Sequence, residues 1–413
     1  MNRYKKIFLN NDIPLYLCID FSMKNVFVSY NVLYGSSGLW FNYNNNGKDY
    51  SVISGYAHYL EHLLGEHCQF GNMYENFQRR LQYANAYTAS NVTSYYFKGT
   101  NDIEKSIEEL IIAMEMPVFD KKDVESTRHA IEEESASYCD NYGVLLVDMV
   151  ENNLYSGFNK FDATLSPIGN RETTKSITIE DLYNCYNAFY TDNNKFLVIA
   201  GNVDEEKIVD LLNKVYSNIT PHKSHLSLPS IDYTNIKKIS DVIYRDVDTS
   251  ISSLGVKVKK PNSISMKQFN YCMSVIKNYL INSKQYNDLN KKQIVDSFEY
   301  SYFTNIGDYI NFIQSFITKD KDICCEKLLQ LLSKREISKK QYELVQKGII
   351  AGEIRNMDDK YNYIKEFPQK IYYTDSYYDT DFYNSINYSE FMDTISLFDF
   401  GKYTIGEVKS LKK

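Results

Sequence analysis

The sequence contains, at residues 54–66, the stretch SGYAHYLEHLLGE, in which apolar residues frame two histidines and a glutamate. Positions four apart lie on the same face of an α-helix, so His58 and His62 can direct their imidazoles to one point, with Glu61 beside them. Two imidazoles and a carboxylate from elsewhere form a catalytic zinc set that leaves one position for water. The stretch therefore predicts a helix, capped by Ser54, that carries a Zn2+ site with Glu61 as general base.

An alternative reading of the same stretch needs no metal. Histidines four apart on a helix are often ordinary polar residues of a solvated or partly buried face. Glu61 between the two histidines and the apolar frame around them favour the metal site over this alternative.

The chain as a whole has 413 residues, too many for one ordinary core, which predicts two domains. The formal charge is −7, and no basic tract follows the pattern of a phosphate backbone, so we expect no nucleic-acid partner. No stretch is long enough to span a bilayer, and the N-terminal apolar run breaks too early for a secretory signal. The seven cysteines form no Cys-x-x-Cys pair and fit free thiols. We therefore expect a cytoplasmic protein without a membrane partner.

A third ligand must come from another part of the chain. The helix predicted at residues 121–138 has a predicted buried stripe of Val124, Ile131 and Tyr138, and Glu134 lies three residues beyond Ile131 on the same side. Spacing therefore favours Glu134 as the metal ligand, and it leaves open the other glutamates of this helix: Glu125, Glu132 and Glu133.

Residues 85–97, NAYTASNVTSYYF, predict two strands around a polar turn. If Asn85, Ala86, Tyr87 and Thr88 form an exposed edge, they could bind an extended peptide as an added strand. The alternative is a plain hairpin inside a sheet.

The remaining segments predict two halves of similar pattern. The polar stretch 217–234 is the predicted linker between a domain at 1–216 and a domain at 235–413. The second half contains no histidine after this linker, which suggests a duplication in which only the first half kept a metal. Strands are predicted at 7–9, 15–19, 26–33, 196–201, 242–246, 252–258, 298–304 and 309–318, and helices at 75–83, 102–116, 149–158, 179–190, 204–216, 266–280, 323–332, 339–355 and 388–397.

Several short motifs occur along the chain: YGSS at 34–37, GYAHYLEHLL at 55–64, NAYT at 85–88, IEEE at 131–134, PIG at 167–169, FY at 189–190 and VIAGNVD at 198–204. This is the order seen in pitrilysin-type (M16) zinc peptidases, which the chain therefore resembles. The resemblance is to the short, two-domain members, relatives of the mitochondrial processing peptidase and of bacterial peptidases that trim modified peptides.

This resemblance implies an α+β fold of two similar domains, each a mostly antiparallel sheet packed with helices. It implies that such chains pair, as a homodimer or a heterodimer with a related chain, to enclose a chamber for small unfolded peptides. For the site it implies zinc ligands His58, His62 and Glu134, the base Glu61, a substrate strand at Asn85, Ala86, Tyr87 and Thr88, and a substrate-contacting tyrosine at Tyr300 or Tyr302.

Two positions depart from the family pattern. Thr127 stands where members often have a glutamate, seven residues before the third ligand, and residues 289–293, LNKKQ, lack the expected arginine.

The expected function is a zinc metalloendopeptidase acting on small peptides, for example in removing a leader from a ribosomally made peptide. The alternative is a peptide-binding subunit that needs a catalytic or activating partner chain.

Overall fold

In the computed structural model of the chain, the described residues are 4–36, 55–155, 166–169, 171–223, 234–374 and 380–411. The chain forms two compact units. The first comprises Met1–Ala136, Phe161–Ser230 and Asp359–Tyr377, and the second Ser137–Lys160, Ile231–Asp358 and Tyr378–Lys413. The division at 1–216, 217–234 and 235–413 stays a prediction, and residues 224–233 of the linker lie outside the described residues.

The first unit is built on a six-stranded sheet. Its strands are β1 (Lys5–Phe8), β2 (Pro14–Ile19), β3 (Val26–Val32), β4 (Tyr83–Thr88), β5 (Thr93–Gly99) and β6 (Lys195–Gly201). They lie in the order β1-β2-β6-β3-β5-β4, in which only β2 and β6 run parallel. Both β3 and β6 are buried at every position, as expected for central strands covered on two faces. The strand β4 lies at the edge.

The helices of the first half of the chain supply most of the core of this unit. They cover one face of the sheet with a large apolar cluster that includes Tyr59, Leu63, Ile111, Ile131 and Leu212. In chain order the helices are α1 (Tyr56–Glu66), α2 (Met73–Arg79), α3 (Ile103–Glu115), α4 (Lys121–Cys139), α5 (Tyr142–Asn153), α6 (Arg171–Ser176), α7 (Ile179–Phe189) and α8 (Glu205–Tyr216), of which α5 belongs to the second unit.

The second unit is built on a five-stranded sheet. Its strands are β7 (Ser240–Arg245), β8 (Ile251–Lys259), β9 (Ser297–Ile306), β10 (Tyr309–Ile317) and β11 (Tyr403–Ser410), in the order β7-β11-β8-β10-β9 with only β7 and β11 parallel. The later helices are α9 (Met266–Asn282), α10 (Lys284–Lys291), α11 (Lys321–Lys334), α12 (Lys339–Asn356), α13 (Lys360–Lys365), α14 (Phe367–Thr374), α15 (Thr380–Ser385) and α16 (Tyr388–Ser396).

The two sheets share one strand order once β1 is set aside. In each, the first strand lies beside the last in parallel, followed by the second, the fourth and the third. The edge strands β4 and β9 therefore correspond, as do the helices α1 and α9 that follow the second strand of each set. The predicted α+β class with two mostly antiparallel sheets is confirmed, and the shared order supports the predicted duplication.

Each sheet is covered on its second face by helices from the other half of the sequence. In the first unit, Ile364 and Phe367 of α13 and α14 pack on Tyr16 and Phe196 of the sheet, and Lys360 bonds Asp20 at 2.7 Å. In the second unit, α5 packs on its sheet through Leu146 and Val150. Neither half of the sequence therefore contains the whole core of its own unit.

Several predicted boundaries are wrong. The helix expected at 149–158 is α5, which begins at Tyr142 because the Asn141 side chain accepts the Val144 amide and caps it; residues 156–158 lie outside the described residues. The helix expected at 75–83 ends at Arg79, and Tyr83 already belongs to β4. The last strand, β11, was not predicted. None of the helices within the described residues is both long and apolar enough to cross a membrane.

We expect Glu151→Gln to change how stability depends on pH. Glu151 is buried on α5, where Thr304 donates to it, and burial raises the pKa of its carboxyl from 4.5 to about 7. The native state therefore binds this proton more tightly than the unfolded state does. The contribution of proton binding at Glu151 to the free energy of unfolding is complete below about pH 4.5 and is lost as pH rises toward 7. From pH 5 to pH 8, the free energy of unfolding of the amide variant should rise relative to that of the wild type by on the order of 1–3 kcal/mol. Urea unfolding at the two pH values measures this difference.

The control is Glu336→Gln, an exposed glutamate of the same unit. A free-energy difference between Glu151→Gln and wild type that stays constant from pH 5 to pH 8 would contradict the assignment.

Candidate metal centre

Helix α1 begins at a glycine that no other residue could replace without strain. Gly55, directly before the helix, has φ of +97°, and a Cβ there would lie 3.0 Å from the Ile168 carbonyl oxygen. Gly55 thus lets the helix start against the loop at residues 166–169. Ser54, the predicted cap, lies outside the described residues.

Helix α1 is buried on nearly every side, including its polar positions. His58 is 7% exposed and Glu61 9%, and Tyr59, Leu60, Leu63 and neighbouring residues are part of the main core. Polar groups buried this deeply are costly unless they are paired or bind an ion, so they require specific partners.

The structure brings His58, His62 and Glu134 together. Nε2 of each histidine lies 3.5 Å from Oε2 of Glu134, and one ligand atom from each residue can be chosen so that all lie within 4.8 Å of one another. Donors about 2.1 Å from a tetrahedral zinc ion are separated by about 3.4 Å, which matches both Glu134 distances. The donor set therefore fits zinc.

Glu134 reaches the histidines because α4 packs beside α1. Val124, Thr127 and Ile131 form the buried face of α4, and the Tyr59 hydroxyl donates to the Val124 carbonyl at 2.6 Å. The predicted stripe is wrong at Tyr138, which is 39% exposed. The hydroxyl of Thr127 is buried and has no hydrogen-bond partner among the described residues.

Glu66, which is not among the predicted site residues, contacts His62 on the side of the ring away from Glu134. Its Oε1 lies 2.9 Å from Nδ1 of His62, which leaves Nε2 to face Glu134. Carboxylates in this position fix the ring and strengthen it as a ligand. The spacing of four residues from His62 on one helix was the available signal. Nδ1 of His58, in contrast, has no hydrogen-bond partner among the described residues.

The electrostatics of the three ligands favour a bound cation. Burial and the neighbouring His62 lower the pKa of His58, which keeps that ring neutral and able to donate a lone pair. Burial alone would lower the pKa of His62, but hydrogen bonds to Glu134 and Glu66 outweigh it and raise that pKa. The His62 hydrogen bond lowers the pKa of Glu134. His58 is thus held as a neutral ligand, and the carboxylates of Glu134 and Glu66 favour a cation at the point where the ligands meet.

Glu61 lies beside the ligands and is not one of them. Burial raises the pKa of its carboxyl to about 7, although the hydrogen bond from Thr88 acts in the opposite direction. Thr88 Oγ1 donates to Glu61 Oε2 at 2.5 Å. A carboxyl with a pKa near neutrality can accept and return a proton under physiological conditions.

The four residues of β4 that are predicted to bind substrate have side chains with different contacts. On β4, Thr88 reaches Glu61 and Ala86 packs on the main core, whereas Tyr87 belongs to the cluster on the opposite face and donates to the Lys365 carbonyl at 2.9 Å. Asn85 is exposed and bonds the Ala86 amide through Oδ1 at 2.8 Å.

Tyr300 and Tyr302 lie in the second unit, on its edge strand β9. Tyr300 is 53% exposed. The hydroxyl of Tyr302 is buried, without a hydrogen-bond partner among the described residues.

Two models of one peptidase family match consecutive parts of the chain. Residues 47–168 match the model described as insulinase (peptidase family M16), and residues 176–355 match the model described as the peptidase M16 inactive domain. Together the matches take in almost three-quarters of the sequence. The first covers α1 and Glu134, and the second lies largely in the half without histidines.

Individual relatives carry similar descriptions. The chain is 26% identical over 312 residues to the uncharacterized zinc protease YmfH of Bacillus subtilis, which covers 72% of this chain and 71% of YmfH. It is 29% identical over 182 residues to the mitochondrial-processing peptidase subunit beta of Saccharomyces cerevisiae, covering 43% of this chain and 38% of that one. The match thus spans less than half the length of the yeast relative.

Solved structures show the same fold. An M16-like peptidase from Alicyclobacillus acidocaldarius superimposes with a TM-score of 0.84 at 18% identity, covering 98% of both chains. A peptidase M16 inactive domain from Pseudomonas fluorescens gives a TM-score of 0.77 at 11% identity, again covering 98% of both.

We expect Glu134→Gln to lose zinc. A neutral amide is a poor zinc ligand, so the variant should retain less than about a tenth of the metal that the wild type holds after dialysis, measured by mass spectrometry of the metal. The matched control is Glu133→Gln, an exposed neighbour on the same helix, which should keep its zinc. Equal zinc content in both variants would exclude Glu134 as a ligand.

We expect Glu66→Gln to weaken zinc binding without abolishing it. Loss of the carboxylate behind His62 should raise the zinc dissociation constant about 10- to 100-fold. Competition with a chromogenic chelator measures this, and Glu75→Gln, an exposed carboxylate nearby in the chain, serves as control. An unchanged dissociation constant would mean that Glu66 does not support the ligand.

Proposed function

Because the chain belongs to the M16 peptidase family, we propose that it is a zinc-dependent metalloendopeptidase that hydrolyses small unfolded peptides. The observation that carries this proposal is the convergence of His58, His62 and Glu134 on one point, with Glu61 beside it. A chain that only bound peptides would not need a buried carboxyl there whose pKa lies near neutrality.

The chemistry divides between the ion and the side chains. Zinc, when bound by His58, His62 and Glu134, supplies the Lewis acidity that acidifies a water and polarises the scissile carbonyl. Glu61 accepts the proton of the attacking water and returns it to the leaving amine. Since Thr88 occupies Oε2 of Glu61, Oε1 is the oxygen assigned to carry that proton.

The substrate in this proposal is an extended peptide. The edge strand β4 ends at the residue that touches Glu61, so a peptide paired with this strand passes the base. Main-chain pairing makes few demands on sequence, which agrees with either general turnover of oligopeptides or removal of a leader from a ribosomally made precursor. Asn85, Ala86, Tyr87 and Thr88 are proposed to form the substrate strand, with Tyr300 or Tyr302 as a further contact.

A second chain is part of the proposal. One relative is described as a subunit, and residues 289–293 of this chain carry no arginine. We propose a homodimer or a heterodimer with a related chain, acting in the cytoplasm. In this dimer the partner chain supplies the arginine that residues 289–293 lack.

We expect Glu61→Gln to abolish cleavage while keeping zinc. The amide cannot accept the proton, so turnover of a mixed library of short peptides should fall by about 10²–10⁴-fold, followed by mass spectrometry. A chelator should stop the wild type, and Glu133→Gln should cleave normally. If the zinc-loaded wild type cuts nothing, the chain is instead a peptide-binding subunit that needs a partner.

A further inference from the structure

Thr88 touches both the proposed base and the proposed substrate strand. It is the last residue of β4, and its hydroxyl donates to Oε2 of Glu61 at 2.5 Å. Glu61 is almost fully buried, so this bond holds a carboxyl that few other groups can reach. Thr88 is one of the residues predicted to contact substrate, and its side chain contacts the proposed base.

The pairing of the hairpin determines which main-chain groups of β4 face outward. The Ala89 amide donates to the Val92 carbonyl at 2.8 Å, which makes these residues a hydrogen-bonded pair. Such pairs alternate along an antiparallel ladder, so Tyr83, Asn85 and Tyr87 bond β5, and Ala84, Ala86 and Thr88 turn their amides and carbonyls toward the edge. Among the described residues, no strand other than β5 pairs with β4.

The bond between the Ala86 amide and the Asn85 side chain supports this assignment independently. A side chain can reach that amide only if the amide is not engaged with β5. An added peptide strand therefore meets β4 at Ala84, Ala86 and Thr88, and Thr88 is the one of these three that also bonds Glu61.

The end of β4 is firmly held. The Ser36 amide donates to the Ala89 carbonyl at 3.0 Å, and a Cβ on Gly35 would overlap the same carbonyl oxygen, so only glycine allows the chain to pass there. Thr93, the cross-strand neighbour of Thr88, donates to the Tyr34 carbonyl at 2.8 Å. A hydroxyl mounted on this point has little freedom to move.

We propose that Thr88 is a positioning residue that sets the distance between the base and the scissile bond. Its main chain aligns the substrate strand, and its hydroxyl fixes Glu61 from the same Cα. This inference rests on the proposed peptidase function. The same residue then pairs with the peptide through its main chain and orients the base through its hydroxyl. Loss of the hydroxyl therefore misplaces Glu61 but leaves the pairing of the peptide intact.

The test compares Thr88→Val, which has the same shape without the hydroxyl, with Thr88→Ser, which restores it. With a library peptide that the wild type cuts, Thr88→Val should lower kcat about 10- to 100-fold and leave KM within about threefold, at unchanged zinc content. Thr88→Ser should recover most of kcat. The control is Ser94→Ala, which removes a buried hydroxyl bond to Asn31 from the same hairpin without touching Glu61 and should keep kcat.

Two kinetic results would overturn the proposal: a kcat for Thr88→Val within twofold of wild type, or an equal loss in Thr88→Val and Ser94→Ala. A crystal structure of Thr88→Val gives a readout that does not depend on activity. If the wild type cuts no peptide, the peptidase function fails, and the role of Thr88 is decided by this structure. A displaced Glu61 carboxylate supports the role, and an unmoved one refutes it.

Discussion

The burial of α1 is the constraint on which the site depends. A helix that carries two histidines and two glutamates is costly to bury unless its polar side chains find partners in the core. Those partners come from three elements: Glu134 from α4, Thr88 from β4, and Glu66 from the last turn of α1 itself. The sheet and helices of the first unit bring these groups together. The ligand atoms of His58, His62 and Glu134 that converge there suit a divalent cation.

Local periodicity explains why much of the site could be predicted. A helical repeat alone places His58, Glu61 and His62 together, and the position of Glu134 three residues past buried Ile131 directs it inward. Tyr138 failed as a marker because the buried face of α4 follows Val124, Thr127 and Ile131 and does not extend to it. The direction of Thr88 could not be read from sequence, since it depends on the register of β4 against β5.

The second unit has the same strand order, and its described residues include no cluster of side chains that could hold a metal. Helix α9 occupies the place that α1 has in the first unit, but its buried positions include Phe269, Cys272, Met273 and Ile276. Apolar side chains there need no hydrogen-bond partners. The elements around α9 therefore need not supply polar groups, as those around α1 must. This difference agrees with the sequence, which has no histidine in that half, and with the description of the matching model as inactive.

The helices that cover each sheet from the other half of the sequence also set an order of events during synthesis. The strands of the first sheet are complete at Gly201, but the residues that cover its second face begin at Lys360. At about 5–20 residues per second, roughly 10–30 s pass before those residues are made. For that time an apolar surface that includes Tyr16, Phe196 and Val198 faces the solvent on a nascent chain. The first unit therefore acquires its complete core only after most of the second unit has been translated.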